Sequence, residues 1–360
     1  MIRNLMYRIP LLLITVSAAV TLSGCWNIKD INHRSLPVIM GLQHKNGVFQ
    51  VWLLLPEASE GRSNVRVVSD AGKTIEGTID RIGKNMETRV DLLHLKVIVF
   101  GQALAEKGLG DTVSGFMRAR DIPAKTLAAI CDGELEPLFD RLKSSTSNNG
   151  IEAYNYFEKN AGWTPQVAQT RIWQIYRSLH SYTRDVAIPI IKPGRTTTLE
   201  STGSAVIKNG RMVARITPDE TLLYNLFNGQ GAQGRIEVMD HAAVQILTDR
   251  MTHQSALKEG KAVLNSRLHL KVTVLETISS PTSDRIRQEL NELLTTRFQR
   301  MFRELQREEA DILGVGQFFR ARMSREDLRD WRSDHYPHLL INFRVDSIIE
   351  NVGLLNTMGP

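Results

Sequence analysis

Helical and strand-like segments follow one another in this sequence without strict alternation. That predicts the α+β class: mostly antiparallel sheets packed with helices, in two or three mixed domains. Two observations carry the prediction. Asn46-Gly47 and Asn209-Gly210 each sit between strand-like runs, and Asn-Gly supplies the positive φ angles of a tight hairpin turn. Apolar residues also recur at helical spacing in several stretches, the longest over 284–310. With 360 residues, 42% hydrophobic and 23% charged, the chain can bury a core, and disordered, collagenous and coiled-coil classes are excluded.

The N-terminus comes first. Met1 to Arg8 is basic, Ile9 to Leu22 is apolar, and Leu22-Ser23-Gly24-Cys25 closes the segment. An apolar stretch of 14 residues falls short of the roughly 20 that span a bilayer as a helix, so it reads as a signal peptide. Its ending resembles a lipobox, in which small residues precede a cysteine that takes up lipid before cleavage. Residues 1–24 are therefore expected to be removed and Cys25 to become a lipid-bearing N-terminus. Two acyl chains, at about 0.8 kcal/mol per buried CH₂, anchor a protein stably. The body would then lie on the extracytoplasmic side of the cell membrane, tethered to its lipid through Cys25. With Cys25 so used, Cys131 lacks a disulfide partner, and within the apolar run 125–131 it reads as a small buried hydrophobe.

The body begins with a hairpin, Pro37 to Gln43 and Val48 to Leu55. Ile75, Ile79, Ile82 and Met86 predict a helix capped by Thr74 and weakened by Gly77 and Gly83. Leu95 to Phe100 predicts a buried strand, Gln102 to Arg118 a helix, Lys125 to Cys131 a strand, and Glu134 to Leu142 a short helix. The polar run 144–150 marks a loop or subdomain junction. Val167, Ile172, Ile175, Tyr176 and Leu179 then mark a helical stretch before the strand-like Val186 to Ile191. The main boundary is expected at Pro193-Gly194-Arg195, dividing an N-terminal α+β domain, 25–195, from a C-terminal one, 196–360.

The second domain opens with the hairpin Ser204 to Lys208 and Arg211 to Ile216. Thr217-Pro218-Asp219-Glu220 starts a helix with three agreeing cues: a Thr cap, Pro at the first position and an acid at the third. Arg235 to Glu276 reads as strands, Asp284 to Ala310 as the longest helix, and His338 to Ile349 as a last strand.

Several chemical motifs are incomplete. Gly72-Lys73-Thr74 lacks the glycine five residues earlier that a phosphate-binding loop needs; Val67 stands there. Ser255 and Lys258 have the Ser-x-x-Lys spacing of acyl-serine enzymes without the companion motifs. His335 and His338 are separated by a proline that prevents helical alignment on a metal. The net charge of +6 becomes +4 once Arg3 and Arg8 leave with residues 1–24, too little to argue for nucleic acid. Residues 284–334 hold 11 Arg and 11 Asp plus Glu, which reads as a paired, solvated face or, alternatively, a docking surface for a protein partner.

Several blocks in order resemble one family. They are Gly24-Cys25-Trp26 with Asp30-Ile31-Asn32; Gly72-Lys73-Thr74 through His94 to Gly101; Phe116 to Asp121; Gly203 to Lys208; and Ala310-Asp311-Ile312-Leu313-Gly314-Val315-Gly316 with Trp331 and the closing strand to Gly353. Together they resemble the Ger(x)C spore-germination lipoproteins, the C subunits of nutrient germinant receptors. Gly41-Leu42-Gln43 departs from the family, which usually has an acidic residue there. The resemblance implies a non-catalytic subunit without cofactors, acting in the spore inner membrane with two integral membrane partners, A and B. Such a complex senses small nutrients and triggers ion release and rehydration. It also implies that Cys25 is the lipid site and that Asp311, Gly314 and Trp331 are structural or interaction positions; because Asp near Gly usually serves turn chemistry, Asp311 is expected to cap or hydrogen-bond the turn at Gly314, the alternative being contact with a partner. Two other readings stand beside it. A solute-binding lipoprotein of a transporter would need two lobes of alternating parallel strands, which the mixed order disfavours. An exported acyl-serine enzyme would rest on Ser255 and Lys258.

Overall fold

The structure, a computed structural model, describes Ser17 and residues 33–59, 62–119, 121–144, 154–158 and 163–351. The signal segment, Cys25 and most of the polar run 144–150 lie outside the described residues. In chain order the strands are β1 (Arg34–Ser35), β2 (Ile39–Lys45), β3 (Val48–Ser59), β4 (Arg62–Gly72), β5 (Arg89–Val90), β6 (Val97–Gly101), β7 (Leu127–Cys131), β8 (Val186–Pro193), β9 (Leu199–Lys208), β10 (Arg211–Ile216), β11 (Ile236–Val238), β12 (Ala242–Lys258), β13 (Lys261–Thr277) and β14 (Leu340–Asn351). The α-helices are α1 (Ile75–Lys84), α2 (Gln102–Lys107), α3 (Gly110–Ala119), α4 (Leu135–Ser144), α5 (Ile172–Leu179), α6 (Pro218–Phe227), α7 (Ser283–Arg307) and α8 (Arg325–Arg329).

Eight strands form one sheet in the order β10-β9-β8-β7-β6-β2-β3-β4. Its centre, β8-β7-β6-β2, is parallel, and antiparallel pairs flank it on both sides. The reason is visible in the residues. Val97–Gly101 and Leu127–Cys131 are buried at every position, as strands covered on both faces must be. Alternate side chains supply two cores. Ile98, Phe100, Ala128 and Ile130 pack with Ile82, Leu104, Val113, Phe116 and Ile175 from α1, α2, α3 and α5. Val97, Val99, Leu127, Ala129 and Cys131 pack on the other face with Leu135, Leu138, Phe139 and Leu142 of α4. Burial pushes the Cys131 thiol up to about 12, with the charges of Asp132 and Glu134 adding to it, so this cysteine is a core residue and not a reactive one.

The second sheet has the order β11-β12-β13-β14, in which β12 and β13 form a long hairpin and β14 joins parallel to β13. Helix α7 covers it with Ile286, Leu290, Leu294, Phe298, Met301, Phe302 and Leu305. Helix α6 brings Leu222, Leu223 and Leu226 into the same core, which also takes in Ala187 of β8 and Val206 of β9. Hydrophobic contact is therefore continuous between the two sheets.

Local cues land where the chemistry requires. Asn46 and Gly47 have φ of 53° and 79°, and Asn209 and Gly210 have 50° and 77°. Thr74 Oγ1 accepts from the Gly77 N–H at 3.2 Å, and Thr217 and Glu220 complete a reciprocal capping box.

Other expectations are corrected. The helix expected over 102–118 is two helices, broken where Gly108 takes φ of 133°. The helix marked by Val167 begins only at Ile172. Strand β4 was not expected, because RSNVRVVSDAG is largely polar and lies at a sheet edge. Of the two i, i+4 pairs that the sequence offers on the long helix, Arg285 meets Glu289 at 3.1 Å, but Arg300 does not pair with Glu304; it reaches across to Glu220 at 2.9 Å, while Glu304 pairs with Arg307. The boundary expected at 193–195 is not among these corrections: the turn at 194–198 joins β8 to β9 as antiparallel neighbours, and the first sheet takes strands from both sides of it.

Candidate functional site

The segment Ala310 to Gly316 leaves the end of α7 and turns sharply beneath β8. Gly314 has φ of 67°, a left-handed conformation, and a Cβ there would sit 2.9 Å from Arg184 Nε. Both facts favour glycine at this position. Asp311 fastens the turn. One carboxylate oxygen accepts from the Val315 N–H at 2.8 Å; the other accepts from the Gly316 N–H at 2.8 Å and from Trp331 Nε1 at 2.9 Å. Gly316 is just as constrained, since a Cβ would meet the Trp331 ring at 2.7 Å.

Trp331 is fully buried and stacks on Phe319 at 5.3 Å between ring centroids. The three positions singled out in the sequence, Asp311, Gly314 and Trp331, are thus brought together in one turn-and-ring arrangement. Burial raises Asp311 to about 6, and the nearby Asp185 charge adds to the rise, against the lowering effect of three N–H donors.

Asp185, immediately before β8, ties this turn to the first sheet. Its backbone N–H donates to the Asp311 carbonyl at 2.8 Å, and its Oδ2 accepts from the Asp311 N–H at 2.9 Å. Arg332, next to Trp331, closes the group. It holds Asp185 with two bonds, Nε to Oδ2 at 3.0 Å and Nη2 to Oδ1 at 2.8 Å, and donates to the Ser181 carbonyl at 2.7 Å. The Asp185 side chain is wholly buried, so this pair is a buried, geometrically complete ion pair. Sequence reasoning missed both Asp185 and Arg332, because their separation of 147 positions leaves no local signal.

The acyl-serine pair is not assembled. Ser255 and Lys258 lie on strand β12, where residues three apart face opposite sides of the sheet. Ser255 Oγ donates to the Phe318 carbonyl at 2.9 Å and accepts from Arg322 at 3.1 Å.

Comparison with known proteins decides the family. Residues 27–193 match the domain described as the spore germination protein N-terminal domain, and residues 202–353 match the one described as spore germination B3/GerAC like, C-terminal. The chain belongs to the GerC family of spore germination proteins. A GerC-family relative, "Spore germination protein GerQC" of Bacillus cereus, is 19% identical over 311 residues, covering 82% of this chain and 84% of that protein. The solved structure of the GerBC protein is similar with a TM-score of 0.57 at 14% identity, covering 87% of this chain and 97% of that one, a likeness of fold. Asp311, Gly314, Trp331 and Arg332 fall in the C-terminal GerC-family stretch, and Asp185 in the N-terminal one.

Proposed function

We propose that this GerC-family chain is the C subunit of a spore nutrient germinant receptor, needed for nutrient-triggered germination together with integral membrane A and B subunits. The observation that carries the reading is the match of both germination domains, in order, over residues 27–353. Attachment to the membrane is assigned to lipid on Cys25, at the end of an apolar segment too short to span. Among the described residues no helix is long and apolar enough to cross a membrane. The role is binding and assembly rather than catalysis, and the acyl-serine alternative has no catalytic geometry at Ser255. Asp311, Gly314, Trp331, Asp185 and Arg332 act as a latch that fixes the second sheet against the first, so that surfaces on both are presented to partners in one arrangement.

The test is germination of spores lacking this gene, complemented with wild type or Cys25→Ala, over a panel of amino acids and sugars, with spore membranes fractionated alongside. Loss of response to some nutrients, restored by wild type and impaired by Cys25→Ala, is expected. Normal response of the deletion strain to every nutrient would contradict the reading.

A further inference from the structure

The C-terminal arginines divide into two sets. Those facing α6 and β11 are paired: Arg297 with Glu237 at 3.0 Å and Arg300 with Glu220 at 2.9 Å. Three others, with Arg177 and Arg184 from the chain before β8, converge without ion-pair partners on a cleft of about 730 Å³ beside the latch, between α3 and α5 on one side and α8 on the other. Among the described residues Arg184 donates only to the neutral Asn228 side chain, at 2.8 Å, and Arg320 only to Gln317, at 3.5 Å. Arg177 and Arg184 are its half-buried inner arginines, and Arg320, Arg325 and Arg329 are exposed around it. Among the described residues no aspartate or glutamate lines it, and none of these five guanidinium groups is ion-paired.

Like charges gathered in a cavity raise one another's free energy unless an anion joins them. The strain is visible at Arg177. Its Nε is buried with no hydrogen-bond partner. Burial, with the neighbouring Arg184 charge, holds its guanidinium below the ordinary value. The cleft also offers flat surfaces. Trp173 and Tyr182 are 37% and 53% exposed, and Tyr176 lines the cavity with them. The Arg177 guanidinium lies 5.0 Å from the Trp173 ring centroid.

We propose that this cleft binds a small organic anion that combines at least two negative charges with a flat ring. Guanidinium groups pair with phosphate or carboxylate oxygens in two-pronged fashion, and the aromatic side chains stack on the ring. The volume suits a small molecule rather than a peptide segment, since ligand pockets run from about 300 to 1,000 Å³. Bound there, the anion braces the segments that the latch joins, because Arg184 precedes Asp185 and Gln317 follows Gly316. The binding stands independently of the receptor reading, since it is measured on the isolated chain.

The full chain, purified in detergent, is titrated by calorimetry with ADP (charge and ring), pyrophosphate (charge alone) and adenosine (ring alone), with thermal melts of every variant. ADP is expected to bind with a Kd below about 1 mM, pyrophosphate more weakly and adenosine not measurably. Arg177→Gln weakens both anions by about tenfold or more, because a charge-assisted bond is lost. Trp173→Leu weakens ADP and leaves pyrophosphate unchanged. Should Arg177→Gln fail to fold, Arg325→Gln on the exposed helix serves instead, with a loss of about two- to threefold. No binding by either anion, adenosine binding as tightly as ADP, or ADP binding indifferent to the arginine substitutions would overturn the proposal. So would association with phosphatidylglycerol vesicles alone, which would make the cleft a membrane contact.

Discussion

Two polar clusters lie side by side where the sheets meet, and they are built in opposite ways. In the latch, the charged groups of Asp311, Asp185 and Arg332 all meet partners at 2.8 to 3.0 Å. In the cleft, Arg177 and Arg184 face each other's charge, with no acidic side chain among the lining residues. The first cluster is complete within the chain, and breaking it exposes buried groups that nothing else satisfies. The second is incomplete, and losing one of its charges relieves repulsion. Satisfied buried polarity holds a fold together; unsatisfied charge beside open space awaits a ligand.

The contrast can be broken most severely at Asp311. Asp311→Ala leaves three N–H donors buried without acceptors and is expected to cost about 3–5 kcal/mol, read by denaturant unfolding. A cost below about 1 kcal/mol would mean that the turn does not depend on the carboxylate. Arg332→Gln comes next. It leaves the Asp185 carboxylate buried with backbone N–H donors only, from Asp311 at 2.9 Å and Asn209 at 3.4 Å, and should cost about 2–3 kcal/mol in the same experiment.

Asp311→Asn sharpens the comparison through pH. Folded Asp311 takes up its proton near pH 6, against an ordinary value of 3.8, so between these values the folded chain binds more protons than the unfolded one. Stability is therefore lost as pH rises from about 4 to about 6. The asparagine variant lacks this dependence. The stability difference, wild type minus variant, should shrink over that interval by up to about 3 kcal/mol, and a difference that is flat with pH would contradict the buried, raised carboxyl. The smallest effect belongs to the cleft: Arg325→Gln and Arg329→Gln should change stability by no more than about 0.5 kcal/mol, with any gain clearest at low salt. A loss of about 2 kcal/mol would mean that these arginines are structural.

What the sequence made legible follows the range of the interactions involved. Asn46-Gly47, Asn209-Gly210 and the Thr217 capping box act within four residues, and all were readable from the local residue order alone. The buried strands at 97–101 and 127–131 were readable because both faces demand apolar side chains. Their parallel pairing with each other and with β2 and β8 was not, since register between distant strands leaves no mark on either one. Strand β4 escaped because an edge strand pairs through its backbone and need not be apolar. In the latch, Asp311, Gly314 and Trp331 were found through family resemblance, whereas Asp185 is a single acid before a strand whose importance exists only once Arg332 arrives. Likewise, counting charges in 284–334 gave a balanced surface, but geometry sorts those arginines into paired and unpaired sets.

On the proposed reading the subunit works as one body because the Asp311 latch joins its sheets. The direct measurement is nutrient germination of spores whose sole copy of this chain carries Asp311→Ala, with the amount of chain in spore membranes quantified. The nutrient response and the amount of membrane-held chain should fall together, far below those of wild-type spores. A full nutrient response with normal amounts of chain would contradict the claim.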